Sequence, residues 1–430
     1  MNLLKEIISS EVFPAIGCTE PISCAYTAAA AVEMLGKPLD EIHLIVDPGT
    51  YKNGASVVVP NSGGLKGNVI AAAMGAVIAK SSLRLEILRD VQAATLKAAK
   101  LLLNSGKIRY DCIGNMKSLY VEVRANGGGS EVKCVVSEGH ANISCLEKDG
   151  VSIINKHPHA GLKQSGYRDA LKGMKLEDVL KSVVVLDSLD RSDIQRGVDM
   201  NISISLKGID MKRTAYQLKQ MMKNGLMADD LFYQVKLAVS SAVDARMGGM
   251  AEPVMTSGGS GNQGSLAILV PYIVGRHQDV EIDRIIESIA VSHAVNSYIK
   301  CFLGELSVIC GCAVAASISA AIAIVYQKAG IDMRKINLAI DNVIGDLCGI
   351  ICDGAKPGCS MKIMSGAETA MRSAFLALAG YGLTDTDGVI GCSPEESIKN
   401  LCRVSFEGMG FVDPTIVRIL QEKSTRSGNA

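Results

Sequence analysis

Leu119-Tyr-Val-Glu-Val-Arg124 alternates apolar and polar side chains with a period of two, and Glu131-Val-Lys-Cys-Val135 resumes the alternation after Asn126-Gly-Gly-Gly129. Alternation on both sides of a glycine-rich break is a hairpin signature, and three glycines imply a loose turn. A tighter hairpin follows, with Asn142 to Leu146 and Val151 to Ile154 flanking Asp149-Gly150. Outward from this pair, strands are expected at Ile42 to Val46, Ser56 to Val59, Val183 to Leu186 and Ile202 to Leu206. The rest reads as helix. The first 36 residues carry Pro21 at a first-turn position and Gly36 as a stop, and residues 69–80 and 85–103 are alanine-rich and amphipathic. From about Met211 onward the chain is helical with glycine-rich breaks. The expectation is an α+β fold: a mainly helical catalytic domain of residues 1–36 and 209–430, and a smaller antiparallel-sheet α+β domain of residues 37–208.

Composition narrows the function. The 430 residues hold 44 basic and 44 acidic side chains, and a formal net charge of zero argues against nucleic acid or an anionic membrane as partner. With 48% apolar but only 4% aromatic residues, the core must be built from Ala, Val, Ile and Leu. Leu306 to Tyr326 carries no charge, yet its cysteines, serines and alanines give a weak transfer energy, so a buried central helix is expected rather than a membrane span. Thirteen cysteines, an odd number without disulfide-scaffold spacing or a secretory leader, point to a reducing, cytoplasmic setting.

Four of those cysteines have suggestive surroundings. Cys18 precedes a proline-initiated helix, Cys312 opens the apolar run, and Cys352 and Cys359 bracket a loop, with Ser360 as the expected cap of the next helix. Three of the four thus lie at expected helix N-termini, where free amides and the macrodipole lower a thiol's pKa. Cys310 and Cys312 would diverge by roughly 200° on a helix, so one of them faces a shared centre; the small residues after Cys312 favour it. Zinc-finger and bacterial-ferredoxin spacings are absent. The C-x39-C-x6-C arrangement fits a cluster held by three thiolates from two loops, with one iron left open to act as a Lewis acid.

The segments AIGCTEP (15–21), SGGSGNQG (257–264), CGCAVAA (310–316) and CDGAKPGC (352–359) resemble the L-cysteine desulfidase family, which is related to the iron–sulfur L-serine dehydratases through their alpha-chain domain. The resemblance implies a [4Fe-4S] enzyme that converts L-cysteine to pyruvate, ammonia and hydrogen sulfide without pyridoxal phosphate. It matches Cys312, Cys352 and Cys359 to the cluster-binding positions, and Cys18 to a motif cysteine expected to be a catalytic base or a further ligand. Cys-Thr-Glu stands where serine dehydratases carry a serine-rich motif ending in histidine, which weighs against serine as main substrate. Lys356 and Lys300 compete with Cys18 for the role of base. L-serine dehydration on the same cluster is the runner-up, and a non-catalytic thiol or cluster redox sensor is the rival from another class. No basic helix supports that rival.

Gly259-Ser-Gly261-Asn-Gln-Gly264 satisfies G-x-G-x-x-G without the βαβ setting a dinucleotide site requires. It reads instead as a nest of backbone amides for a substrate carboxylate, with Ser260, Gly261 and Asn262 as contacts. Asn61-Ser62-Gly-Gly64 is a second candidate nest. His157, His159 and His293 receive no role. The expected partners are a small amino acid and a second copy of the chain, with neither nucleic acid nor membrane.

Overall fold

A computed structural model of the chain describes residues 2–114, 116, 118–155, 166–304 and 306–426. The expected pair at 157 and 159 lies outside the described residues. The chain runs α1 (Leu3–Glu11), β1 (Pro14–Ile16), α2 (Thr19–Leu35), β2 (Glu41–Val46), α3 (Pro48–Gly54), α4 (Asn68–Ile78), α5 (Ala93–Asn104), β3 (Ile108–Cys112), β4 (Tyr120–Gly127), β5 (Ser130–Ser137), β6 (Ile143–Lys148) and β7 (Val151–Asn155). It continues through α6 (Gly166–Gly173), α7 (Leu176–Val183), α8 (Ser188–Gly208), α9 (Thr214–Lys223), α10 (Leu231–Met247), β8 (Pro253–Met255), α11 (Gly261–His277) and α12 (Ile282–Leu303). Last come α13 (Ala315–Ala329), α14 (Met333–Leu347), α15 (Cys359–Leu378), α16 (Pro394–Arg403) and α17 (Val412–Arg426). The fold is α+β.

Both hairpins form. The larger sheet has the order β3-β2-β4-β5-β6-β7, antiparallel except for the pair β2–β3, which is parallel from Ile42↔Ile108 to Val46↔Cys112. The expectation of a purely antiparallel sheet is corrected there: α3, α4 and α5 intervene between the two strands, and a helical crossover returns the chain in the same direction. Ile42, Leu44 and Val46 alternate inward and pack with Val121, Val123, Val132, Cys134 and Val136 against α2. In α4, a Cβ on Gly75 would overlap the Ala25 carbonyl, so glycine is what lets α4 lie directly on α2.

Three expected strands are not strands. Ile202 to Leu206 lies inside α8, which starts from an Asp187–Asp190 capping box and buries Ile194, Val198, Asn201, Ile204 and Ser205 at helical spacing. Val183 ends α7, and near Ser56 to Val59 only Val58 makes a bridge, to Lys66. The helix expected over 85–103 begins at Ala93, after a 3-10 turn at Ser81–Glu86.

The cores divide the chain differently from the expected boundaries. Tyr167, Leu171, Leu180, Ile194 and Val198 belong to the helical core, whereas Cys24, Ala28 and Leu35 of α2 belong to the sheet layer. At the centre of the helical part, α13 packs against α11, α12, α14 and α15 and is buried from Ala315 to Gln327. The apolar run is thus a buried helix preceded by a turn, and among the described residues no helix is long and apolar enough to cross a membrane.

Candidate active site

Several helix N-termini end at one cavity. Cys18 is the N-cap of α2, Ser260 the N-cap of α11, and Cys359 the first residue of α15; Cys310, Gly311 and Cys312 form the turn ahead of α13, and all of them line the cavity. Each terminus presents unpaired amides and the positive end of a helix dipole, so the cavity favours anions. Arg246, Lys52, Lys300 and Lys362 line it too, with Glu20 as the carboxylate among the lining residues. It sits where the two cores meet: Glu20, Lys52, Asn53 and His140 come from the sheet side.

Backbone pairing explains why distant cysteines converge. The Cys310 amide donates to Ile350 O at 2.8 Å and the Cys352 amide to Val308 O at 2.6 Å, closing a bridge between Ile309 and Ile351. The Cys310 thiol lies within hydrogen-bond reach of both Cys312 and Cys352. Cys359 returns through a turn in which its amide donates to Lys356 O. The reason for preferring Cys312 over Cys310 does not survive. Residues 310–314 form a turn rather than a helix, and both cysteines line the cavity. Ser360 is likewise not a cap; its hydroxyl donates to Thr214 Oγ1 and Pro357 O from inside α15.

The thiols of Cys18, Cys310, Cys352 and Cys359 are pushed up, contrary to the lowered pKa expected for Cys18 and Cys359 at helix termini. Burial, then the charge of Glu20, raises Cys18 well above its ordinary value, and its Sγ donates to Glu20 Oε2 at 2.9 Å. The Cys312 contact, ahead of burial, pushes Cys310 up to about 12. The Cys310 contact, then burial, raises Cys352, and burial raises Cys359. At Cys18 and Cys359, the two of these thiols at helix N-termini, desolvation is the larger influence. Burial also works to raise the Glu20 carboxyl, but His140 at 3.9 Å and the Cys18 donor hold it well below the usual range. Asn53 donates to its other oxygen at 2.8 Å.

The glycine loop 257–260 is braced from behind. Lys300 donates to Gly258 O, Asn296 donates to Ser257 Oγ at 3.1 Å and to Gln263 Oε1 at 2.9 Å, and His293 Nδ1 lies 2.9 Å from Ser257 Oγ. Burial holds the His293 imidazole down at about 4, so it is neutral at pH 7.

Of the expected site residues, Cys18, Ser260, Asn262, Cys312, Cys352 and Cys359 share the cavity lining, and Ser260 Oγ is 3.6 Å from Cys312 Sγ. Gly261 stands behind that lining, against Arg246. Lys356 is not among the lining residues and is paired with Asp353. Asn61 and Ser62 are not there either. Asn61 Nδ2 donates to Leu88 O and Arg89 O, and Ser62 Oγ donates to Leu65 O, so both fold their own loop. Among the described residues no three His, Cys, Asp or Glu side chains are set to hold a single metal ion. A cluster spreads its thiolates over separate irons, and the four-thiol lining at 310, 312, 352 and 359 is a donor set of that chemical kind.

The chain matches the family model for the serine dehydratase alpha chain over residues 84–418. It belongs to the serine dehydratase alpha chain family. Family membership makes it a serine dehydratase-like lyase. It is 45% identical over 430 residues to a UPF0597 protein of Geobacter sulfurreducens, covering 99% of this chain and 100% of the relative. It is 41% identical over 423 residues to a UPF0597 protein of Elusimicrobium minutum, covering 98% and 100%. A UPF0597 protein of Desulfatibacillum aliphaticivorans is 36% identical over 434 residues, covering 98% of each chain.

In this serine dehydratase-like chain the sequence reading passed over Glu20, Lys52, Asn53, His140, Arg246 and Gln263. Glu20 and Gln263 lie inside the quoted motifs, so their signal was present though no chemistry was assigned. Lys52, His140 and Arg246 are single residues in otherwise ordinary segments, and only the fold brings them to the cavity.

Proposed function

We propose that the protein is an iron–sulfur-dependent lyase that carries out α,β-elimination of L-cysteine to pyruvate, ammonia and hydrogen sulfide. The observation that carries this reading is that the thiols of Cys312, Cys352 and Cys359, with Cys310, line the same cavity as Cys18 and the α11 N-terminus. Cys312, Cys352 and Cys359 would hold a [4Fe-4S] cluster, with Cys310 beside them. When bound, the cluster supplies a Lewis-acidic iron next to the substrate. The loop at 258–262 orients the amino acid. Cys18 acts as the base from its thiolate, formed by loss of its proton to solvent, and the Arg246 cation offsets that charge. The thiolate takes the Cα proton, the Cβ–S bond breaks with its electron pair on sulfur, and the proton now on Cys18 passes to the departing hydrosulfide, which restores the thiolate. The aminoacrylate released then tautomerises and hydrolyses in water. Lys356, held by Asp353 outside the lining, has no part in this scheme.

Anaerobic reconstitution followed by iron and sulfide assay tests the cofactor, and sulfide release from L-cysteine against pyruvate release from L-serine tests the substrate. Cys352→Ala is expected to lose iron, whereas Cys18→Ala keeps iron and loses turnover by about 100-fold or more, as expected for a general base. A wild-type chain that takes up no iron would sink the reading; bleaching by Cys18→Ala would make Cys18 a ligand.

A further inference from the structure

Arg246 is a buried cation with spare donor capacity. It lies in the last turn of α10 and is 2% exposed, and its Nη1 donates to Asn262 Oδ1 at 2.8 Å. Its Nε–H has no hydrogen-bond partner, and among the described residues no carboxylate stands within ion-pair distance of the guanidinium. A buried guanidinium without an anion is costly, and this one lines the cavity, where an incoming anion can pair with it.

The cavity says where. A Cβ on Gly261, the first residue of α11, would overlap Arg246 Nε and crowd Val254, so that edge of the guanidinium packs against the opening turn of α11, and Arg246 lines the cavity beside Ser260, Asn262 and Gln263. Position 261 has to be glycine for the guanidinium to reach that turn. The amides of the first turn of a helix have no acceptor within it, so Arg246 and the α11 N-terminus both bring donors to the cavity that they line. Glu20 does not occupy it, because its oxygens are engaged by Cys18, Thr19 and Asn53. Cys18 lines the same cavity, and the Arg246 charge acts on its thiol.

From this arrangement we infer that Arg246, together with the first-turn amides of α11, anchors the α-carboxylate of the substrate and confines the enzyme to substrates bearing a carboxylate on the carbon that loses its proton. The inference rests on the eliminase reading and adds its selectivity. Planar bidentate pairing with a carboxylate suits arginine, and lysine reproduces the charge without the fork. Selectivity for the carboxylate comes from Arg246, while discrimination between sulfur and oxygen leaving groups lies elsewhere in the cavity.

The test uses the reconstituted holoenzyme and two ligands that cannot eliminate, L-alanine and ethylamine, with binding read by calorimetry. Wild-type protein is expected to bind L-alanine and not ethylamine, and to release sulfide from L-cysteine but not from cysteamine. Arg246→Gln and Arg246→Lys are expected to weaken L-alanine binding and raise KM for L-cysteine by about 10- to 100-fold, the range for losing a hydrogen bond to a charged group. In Arg246→Lys, which keeps the charge that acts on Cys18, kcat should change by no more than a few-fold, whereas in Arg246→Gln kcat falls as well. Asn262→Ala, a smaller change that releases Nη1, gives a weaker shift in the same direction should the arginine variants fail to fold. Turnover of cysteamine at the rate of L-cysteine, or unchanged L-alanine affinity in folded Arg246→Gln, overturns the inference. If the wild type binds L-alanine over ethylamine yet eliminates nothing, the eliminase reading falls and the carboxylate anchor stands.

Discussion

Cys18 and Glu20 oppose one another. A thiol at a helix N-cap would ordinarily ionise more easily, yet burial and the adjacent carboxylate raise this one. Removing the carboxylate charge should therefore release it. In Glu20→Gln, alkylation of Cys18 by iodoacetamide at pH 7, followed by mass spectrometry in cluster-free protein, is expected to be about 10-fold faster, one pKa unit being 1.36 kcal/mol. Unchanged alkylation would mean that burial alone sets the thiol. At this scale the sequence was legible where chemistry is carried by motif, as at Cys18, Cys312, Cys352 and Cys359. It was illegible where a common charged residue acquires meaning from burial. Nothing around Arg246 in Asp244-Ala-Arg-Met247 marks it as a cavity cation, and Asn61 resembled a ligand contact only because its loop is glycine-rich.

The contact between α14 and α16 depends on one buried acid. Asp341 is 1% exposed, Ser397 Oγ donates to its Oδ1 at 2.7 Å and Asn337 Nδ2 to its Oδ2 at 3.0 Å; burial raises its pKa to about 6, with Ser397 opposing. The folded state therefore binds more protons than the unfolded chain between about pH 4 and 6, and stability falls as pH rises through that window. At pH 7 to 8, Asp341→Asn should stabilise the protein by about 1–3 kcal/mol, an advantage that vanishes below about pH 4. Its new amide N–H finds an acceptor if Asn337 flips, because Asn337 Oδ1 has no partner at present. Thermal melts across this pH range check the sign, and a variant less stable at pH 8 would refute it. Element boundaries followed the same logic of context. Asn-Ile-Ser-Ile-Ser-Leu206 alternates like a strand, but an Asp187 cap and burial every three or four residues make it helix, since packing against α10 and β8 outweighs local pattern. The hairpins were legible because both period and turn chemistry agreed.

At the scale of the whole molecule, α3 joins the two cores to the candidate site. It follows β2 directly and places Lys52 and Asn53 in the cavity wall, and α17 packs on it from the far end of the chain. Lys52 is the link. Its side chain is 1% exposed, and its Nζ donates to Cys352 O at 2.9 Å and to Asp413 Oδ1 at 2.5 Å, so one ammonium fastens both the 352–359 loop and the start of α17. The rest of α17 is weakly held; Val417 is buried at 8% exposure while Ile419 is 43% exposed. The two ends of this pair are not equivalent. Asp413→Asn leaves a buried ammonium facing a neutral amide, and should cost about 1–3 kcal/mol, less than the full penalty for a buried pair because Asp413 is 21% exposed. Lys52→Met removes the cation altogether and leaves a partly exposed aspartate that water can satisfy, so its loss should be the smaller of the two despite deleting two hydrogen bonds. Both variants should be cut by trypsin at Arg418 and Lys423 several-fold sooner than wild type, since in each α17 loses its attachment to α3. Denaturant melts with timed proteolysis test the ordering: Lys52→Met less stable than Asp413→Asn, or α17 cut no faster in either, would show that the helix is held by its apolar contacts and not through the ammonium.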